Sequence, residues 1–120
     1  MSEHVYPPQS HELSKKRRDL APEIDQAFRA FSKQVFSDGA LSSKVKQLIA
    51  LAVAHVTQCP YCIRAHTQAA LKAGASQKEI IEAIWVGAEM RAGAAYAHMV
   101  VAMDSLTELE ASGALPQVDT

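Results

Sequence analysis

The sequence contains little cysteine, few aromatic residues and almost no excess of charge of either sign. Its 120 residues include two cysteines, aromatic residues make up 6% of the chain, and the formal net charge is −1 at pH 7. A nearly neutral chain lacks the basic surface on which nucleic-acid binding and attraction to acidic membranes depend. Its basic cluster, at residues 15–18, is followed by acidic residues and is interpreted as a solvated face. We expect neither a nucleic acid nor a membrane as partner.

Long uninterrupted apolar stretches are also missing. The two longest, at residues 48–56 and 92–103, are well short of the roughly 18 residues that a membrane-spanning helix needs. Residues 1–9 carry charges and two prolines but no apolar run, unlike a secretory signal peptide. These absences predict a cytoplasmic protein. In that reducing compartment, two cysteines three positions apart are more often catalytic or metal-binding than a permanent structural bridge.

Apolar residues recur at helical spacing along most of the chain, and no segment alternates as a β-strand would. Residues 1–20 are interpreted as a polar leader and residues 21–120 as one domain. The pattern predicts an all-α bundle of about five to six helices. The predicted helices are residues 22–36, residues 43–57, a third from the cysteine motif to Gly74, a fourth after a capping box at residues 76–79, and a fifth from Ala94 to about Glu110.

The residues suited to chemistry are concentrated in the motif Cys59-Pro60-Tyr61-Cys62 and in His66. A helix that begins at the motif places Cys59, Cys62 and His66 on one face, within roughly 60 degrees. Cysteines at positions i and i+3 have α-carbons about 5 Å apart, which is within disulfide range. The unpaired N–H groups and the dipole at a helix start lower the pKa of a thiol there. The pattern therefore predicts a pair that alternates between dithiol and disulfide, with His66 as its acid–base partner.

Two other interpretations of the cysteine pair remain open on the sequence alone. The cysteines could be small core residues, or they could bind zinc, because Cys-x2-Cys with a nearby histidine supplies soft ligands. A structural zinc site needs four ligands, and His55 is the ready fourth candidate. For His55, packing between helices as a hydrogen-bonded side chain competes with a role in proton transfer. His98 is interpreted as structural.

The segment from Lys46 to His55, followed by the cysteine motif and His66, resembles the AhpD-like alkylhydroperoxidase family, a branch of the carboxymuconolactone decarboxylase superfamily. The similarity continues through residues 73–75, 79–80 and 90–93. It implies an all-α fold with a single core repeat and assembly into homo-oligomers, as trimers or hexamers. The small residues between Gly87 and Ala97 also favour close helix packing and oligomerisation.

The resemblance also implies an activity and the roles of the two sulfurs. We expect a peroxidase or disulfide reductase that acts on hydroperoxides and draws electrons from a thiol, a dithiol or a partner redox protein. Cys62 would become the sulfenic acid, whereas Cys59 would donate a proton and then close the Cys59–Cys62 disulfide. Beyond that redox-active disulfide, no cofactor and no metal is expected.

Two positions depart from the pattern of the best-described family members. Gln47 stands where they carry a glutamate that helps to move protons, and Tyr61 stands where they carry a histidine. Glutamine forms hydrogen bonds but cannot act as a carboxylate base. Gln47, His55 and Tyr61 are therefore candidates for an altered proton relay, and Tyr61 could instead gate the thiols or pack at an interface. The departures leave open a non-redox decarboxylase-like enzyme, or a zinc-stabilised or redox-sensing oligomeric module.

Overall fold

Five α-helices make up the protein in a computed structural model that describes residues 6–8 and 10–115. They are α1 (His11–Leu20), α2 (Pro22–Phe36), α3 (Ser43–Thr57), α4 (Pro60–Lys72) and α5 (Gln77–Ala111). No strand occurs within those two ranges, so the predicted all-α fold is confirmed. Residues 1–5 and Gln9 of the predicted leader, and the last five residues of the predicted domain, lie outside the described residues.

Local signals set most of the helix starts. Pro22 occupies the first turn of α2, and the Ser42 hydroxyl accepts a hydrogen bond from the N–H of Val45 at 3.2 Å to begin α3. At the start of α5, Ser76 and Glu79 form the predicted capping box, with distances of 3.1 and 2.9 Å. The predicted bounds of α2 and α3 are confirmed because their signals lie within a few residues of each helix end.

The prediction of two separate helices after residue 76 is wrong. α5 is one helix of 35 residues that passes through both Gly87 and Gly93. A glycine inside a helix costs about 1 kcal/mol relative to alanine, but Gly87 lies where α5 crosses α3. A β-carbon at that position would lie 2.6 Å from the carbonyl oxygen of Ala52. Gly87 therefore permits close packing of the two helices rather than ending one of them.

Part of the predicted polar leader is helical. α1 begins at Ser10, whose hydroxyl accepts a hydrogen bond from the N–H of Leu13 at 3.0 Å, and Lys15 pairs with Asp19 one turn later. No residue of α1 is buried, so its basic cluster is solvated as expected. Among the described elements, α1 contacts α2 alone.

The core lies where α3 packs against α4 and α5. Its buried residues are few: Leu51, Ala70, Ala75 and Ile80, with Leu48 and Ile84 packed against them. The prediction that most of α3 is buried is wrong for the single chain, because Val45, Ile49 and Val53 remain exposed. They are exposed because α3 has apolar residues on more than one face, and the other helices of the same chain cover only one of those faces. None of the helices within residues 10–115 combines the length and apolarity needed to span a membrane.

Much of the remaining apolar surface is uncovered. On α2 the whole stripe of Ile24, Phe28, Phe31 and Val35 is exposed, and so are Trp85, Met90, Met99 and Met103 on α5. The radius of gyration is 21.4 Å, whereas a compact domain of this length has about 14 Å. The single chain is thus extended and has a small core.

Replacing Gly87 with alanine is expected to lower the free energy of unfolding by about 1–3 kcal/mol, because the added methyl group forces α5 away from Ala52. Gly93→Ala is the matched control. The nearest atom there is the flexible carboxylate of Glu89 at 3.3 Å, so the better helix propensity of alanine should leave stability unchanged or raise it. Urea denaturation followed by circular dichroism measures both. Equal effects of the two substitutions would contradict the close crossing at Gly87.

Candidate functional site

The cysteine motif lies at a sharp turn between α3 and α4. Gln58 ends α3 in the left-handed conformation (φ 59°, ψ 48°), and the N–H of Cys59 donates back to the carbonyl of Ala54 at 3.2 Å. Cys59 is then the extended residue that caps α4, and Pro60 is the first helical residue. Both cysteines are free and half-buried.

The start of α4 shifts the pKa values of the two thiols in opposite directions. The N–H of Cys62 donates to the sulfur of Cys59 at 3.4 Å. Hydrogen bonds from the Cys62 thiol, the Cys62 N–H and the Tyr61 N–H lower the pKa of Cys59 and outweigh its partial burial. The pKa of Cys62 is raised, because its thiol donates to Cys59 and because it is partly buried beside that charge. The pair is therefore polarised, with Cys59 as the more acidic thiol and Cys62 as the less acidic one.

His66 lies one turn beyond Cys62 on α4 and is held by side chains from two other helices. Its Nδ1 lies 2.7 Å from the side-chain oxygen of Gln47 on α3. Because that oxygen can only accept, Nδ1 carries the proton and Nε2 keeps a free lone pair in the neutral ring. The ring of Phe36, at the end of α2, lies over the imidazole with centroids 5.1 Å apart.

Burial lowers the pKa of His66, because the charged imidazolium loses solvation. Gln47 carries no negative charge to offset that effect. At neutral pH the ring is therefore a neutral base, oriented by one hydrogen bond and one aromatic contact. Gln47 thus occupies the position expected of a relay residue, but as a hydrogen-bond acceptor rather than a base.

The side chains of two other candidate residues, His55 and Tyr61, are hydrogen-bonded elsewhere. The Nδ1 of His55 is hydrogen-bonded to the carbonyl of Leu51 in its own helix at 2.8 Å, which agrees with the interpretation of a packed, hydrogen-bonded histidine. Tyr61 points its hydroxyl toward the N-terminal segment, where it donates to the carbonyl of Pro7 at 2.6 Å. His98 lies on the exposed second half of α5.

Within residues 6–8 and 10–115, no group of three or more histidine, cysteine or acidic side chains is arranged to hold a metal ion. The alternative of a zinc site therefore gains no support from the described residues. Two contacts are not predicted from the sequence: that of Phe36 with His66 and that of Pro7 with Tyr61. Phe36 is the last residue of α2; its apolar side chain indicates burial but not a partner, and no sequence signal connects Pro7 with the cysteine motif.

The family model that describes the carboxymuconolactone decarboxylase family matches residues 22–105, which contain α2 to α4, the cysteine motif and most of α5. The chain belongs to the carboxymuconolactone decarboxylase family. The family predicted from residues 46–66 is thereby confirmed.

Several proteins resemble this member of the carboxymuconolactone decarboxylase family in sequence or in structure. An uncharacterised protein of Paracoccus denitrificans, named for its place in the cox locus, is 61% identical over 87 residues, which are 72% of this chain and 78% of that protein. A family member from Legionella pneumophila has 32% identity and a TM-score of 0.64, with 81% of this chain and 87% of that one covered. A Thermotoga maritima member, described in connection with an antioxidative response, has 26% identity and a TM-score of 0.56, with 89% and 99% covered.

Substituting Gln47 with glutamate is expected to raise the pKa of His66 by about one unit or more, because a carboxylate beside Nδ1 stabilises the imidazolium. The position of the His66 ring-proton signal in an NMR pH titration measures the change. Gln77→Glu, at the exposed start of α5, adds the same charge elsewhere and should leave that titration unchanged. An equal response to both substitutions would show that the contact with Gln47 does not control His66.

Proposed function

We propose that the protein is a thiol-dependent peroxidase or disulfide reductase that cycles Cys59 and Cys62 between dithiol and disulfide. The observation that carries the proposal is the polarised thiol pair at the start of α4, where the Cys62 N–H and thiol both direct hydrogen bonds at the Cys59 sulfur. Two half-exposed thiols of unequal acidity, three positions apart, are suited to exchange a proton, to attack a peroxide or a disulfide, and to close an intramolecular disulfide. A core role for both cysteines would not require this exposure.

The reaction with a hydroperoxide takes one proton and leaves a disulfide. The reactive form of the pair has lost one proton, and the remaining proton lies preferentially on Cys62, because Cys59 is the more acidic thiol. In the proposed sequence that proton moves to Cys59, and the Cys62 sulfur attacks the outer peroxide oxygen. The O–O bond breaks, Cys62 becomes the sulfenic acid, and the alkoxide takes the proton from Cys59 to leave as an alcohol. Cys59 then attacks the Cys62 sulfur, and the hydroxide that leaves is protonated to water.

A dithiol reductant closes the cycle by thiol–disulfide exchange. The thiol with the lower pKa is the better leaving group in such an exchange. Attack of the reductant on Cys62, with Cys59 departing as the thiolate, is therefore the favoured direction. The mixed disulfide at Cys62 is then resolved by the second thiol of the reductant, which becomes oxidised.

His66 is proposed as the group that exchanges protons with the pair. Its Nε2 is free to accept a proton, because Nδ1 is committed to Gln47. A neutral glutamine stabilises the imidazolium less than a carboxylate would, so His66 is a weaker base here than in family members with a glutamate. The proposed peroxidase therefore depends more strongly on proton exchange within the cysteine pair than on the histidine.

Two further points support a redox activity in a reducing compartment. The chain belongs to a family in which a Thermotoga maritima member is described in connection with an antioxidative response. The hydrogen-bonded thiol pair is also unnecessary for a non-redox decarboxylase, which would use acid–base groups alone. The pair of His66 and Gln47 could serve that second chemistry, so the decarboxylase remains the alternative.

Hydroperoxide consumption with dithiothreitol as electron donor tests the proposal. Cys62→Ser is expected to lower turnover by about 100-fold or more, because it removes the attacking sulfur. Cys59→Ser should abolish cycling but still form a sulfenic acid, which dimedone traps at Cys62. Val53→Ser, an exposed position of α3, is the matched control for an added hydroxyl.

The outcomes separate three mechanisms. Undiminished turnover in Cys62→Ser would exclude the proposed chemistry. If dimedone labels Cys59 in Cys62→Ser but labels nothing in Cys59→Ser, the peroxide is attacked by Cys59 instead. A family-type reaction that survives alkylation of both thiols would favour the decarboxylase.

We also propose that the protein is a homo-oligomer, a trimer or a hexamer. The chain exposes 9896 Å², whereas a compact monomer of its mass of 13.0 kDa exposes about 6,300 Å². The excess is several times the roughly 800 Å² that each partner buries in an ordinary interface. The apolar stripes of α2 and α5 are the surfaces suited to this contact.

Light scattering is expected to give three or six times the chain mass of 13.0 kDa. Phe28→Glu should lower that mass, because it places a charge in the apolar stripe of α2. Gln26→Glu adds a charge to a position 200 degrees around the same helix and should leave the mass unchanged. A wild-type mass of one chain would overturn the proposed assembly.

A further inference from the structure

The N-terminal segment Tyr6–Pro8, called the strap below, contacts the cysteine turn directly. The hydroxyl of Tyr61 donates to the carbonyl of Pro7 at 2.6 Å, across 54 positions of the sequence. The ring of Tyr6 packs edge-on against that of Tyr61, with centroids 6.0 Å apart and planes at 77°. The strap therefore joins the leader to the residue that lies between the two cysteines.

The strap has few other supports among the described residues. α1, which follows it, contacts α2 and none of the helices of the core. Tyr6 itself is 54% exposed, so its contact with Tyr61 is small. Pro7 and Pro8 restrict the segment to extended backbone, which lowers the entropy lost on docking. A small change at Tyr61 is therefore sufficient to shift the strap between docked and free.

Tyr61 also lies inside the turn that the Cys59 sulfur closes. The N–H of the next residue, Cys62, donates to that sulfur at 3.4 Å, and the N–H of Tyr61 contributes to the lowered pKa of Cys59. A thiolate is a strong acceptor of such hydrogen bonds, whereas a neutral disulfide sulfur is a weak one. Oxidation therefore weakens the hydrogen bond that holds the backbone of the first turn of α4.

We propose that the strap is a redox-responsive latch, docked on Tyr61 while the cysteines are reduced and released when they form a disulfide. The latch rests on the proposed redox cycle of the same pair. Oxidation removes two electrons and the Cys62 proton, joins the two sulfurs, and passes both electrons to a hydroperoxide or a disulfide. The Cys59 sulfur then becomes a weaker acceptor for the first turn, and the turn must satisfy the dihedral angle of the S–S bond. Tyr61 shifts with that turn, and its hydrogen bond to Pro7 is lost.

Release of the strap should be detectable as more frequent unfolding of α1. Its 10 residues are too few for a stable isolated helix, so an undocked leader unfolds more often. Residues 15–18 of α1 are two lysines and two arginines, and trypsin cleaves after such residues only in unfolded backbone. Loss of one neutral hydrogen bond shifts an equilibrium by roughly 2- to 10-fold. Cleavage at residues 15–18 should rise by the same factor.

The experiment compares tryptic cleavage of the full chain in the reduced state and after oxidation with diamide. Cleavage at residues 15–18 should be about 2- to 10-fold faster in the oxidised chain, while cleavage at Lys33 in α2 stays constant. Tyr61→Phe removes only the hydroxyl, and trypsin should cleave this variant at the faster rate in both states. Tyr96→Phe loses a hydroxyl at a 75% exposed position of α5 and should behave as the wild type.

Each outcome has one meaning. Equal cleavage of the reduced and oxidised wild type, or wild-type behaviour of Tyr61→Phe, would overturn the latch. A thiol count after diamide separates this result from failure of the redox cycle. If both thiols persist, the disulfide does not form, and the latch and the proposed function are both wrong. If the thiols disappear and cleavage is unchanged, the latch alone is wrong.

Discussion

The hydrogen bond from the backbone N–H of Cys62 to the sulfur of Cys59 is the contact on which the candidate site depends. It exists because Cys59 caps α4, so its side chain faces N–H groups that have no partner within the helix. The same contact makes the two thiols unequal: the pKa of Cys59 is lowered, whereas that of Cys62 is raised. A pair of equivalent thiols would have no preferred leaving group, and its exchange reactions would have no preferred direction.

Three helices hold the base near that pair. α4 carries His66, α3 supplies the oxygen of Gln47, and α2 ends with Phe36 against the imidazole. The position of α3 depends in turn on its crossing with α5, where the absence of a side chain at Gly87 permits backbone contact with Ala52. A displacement of α5 would therefore reach His66 through α3, without any change in the cysteine turn.

The parts of this arrangement that could be predicted from the sequence are those set by neighbouring residues. The limits of α2 and α3 and the capping box of α5 follow from apolar spacing and from caps within one turn. The continuity of α5 could not be predicted, because the local cost of its glycines is overcome by packing against α3. The contacts of Phe36 with His66 and of Pro7 with Tyr61 join distant segments, and no residue type at either end indicates its partner.

The small core and the exposed stripes bear on how the site keeps its geometry. Four buried apolar residues and their two neighbours hold α3, α4 and α5 together, which is little for a chain of 120 residues. α2 touches α3 but leaves its own apolar stripe in solvent, and Phe36 is its last residue. Within the single chain, the orientation of α2 therefore depends on its contacts with α1 and α3. If neighbouring copies cover that stripe, assembly restrains α2 further and with it the contact of Phe36 with His66.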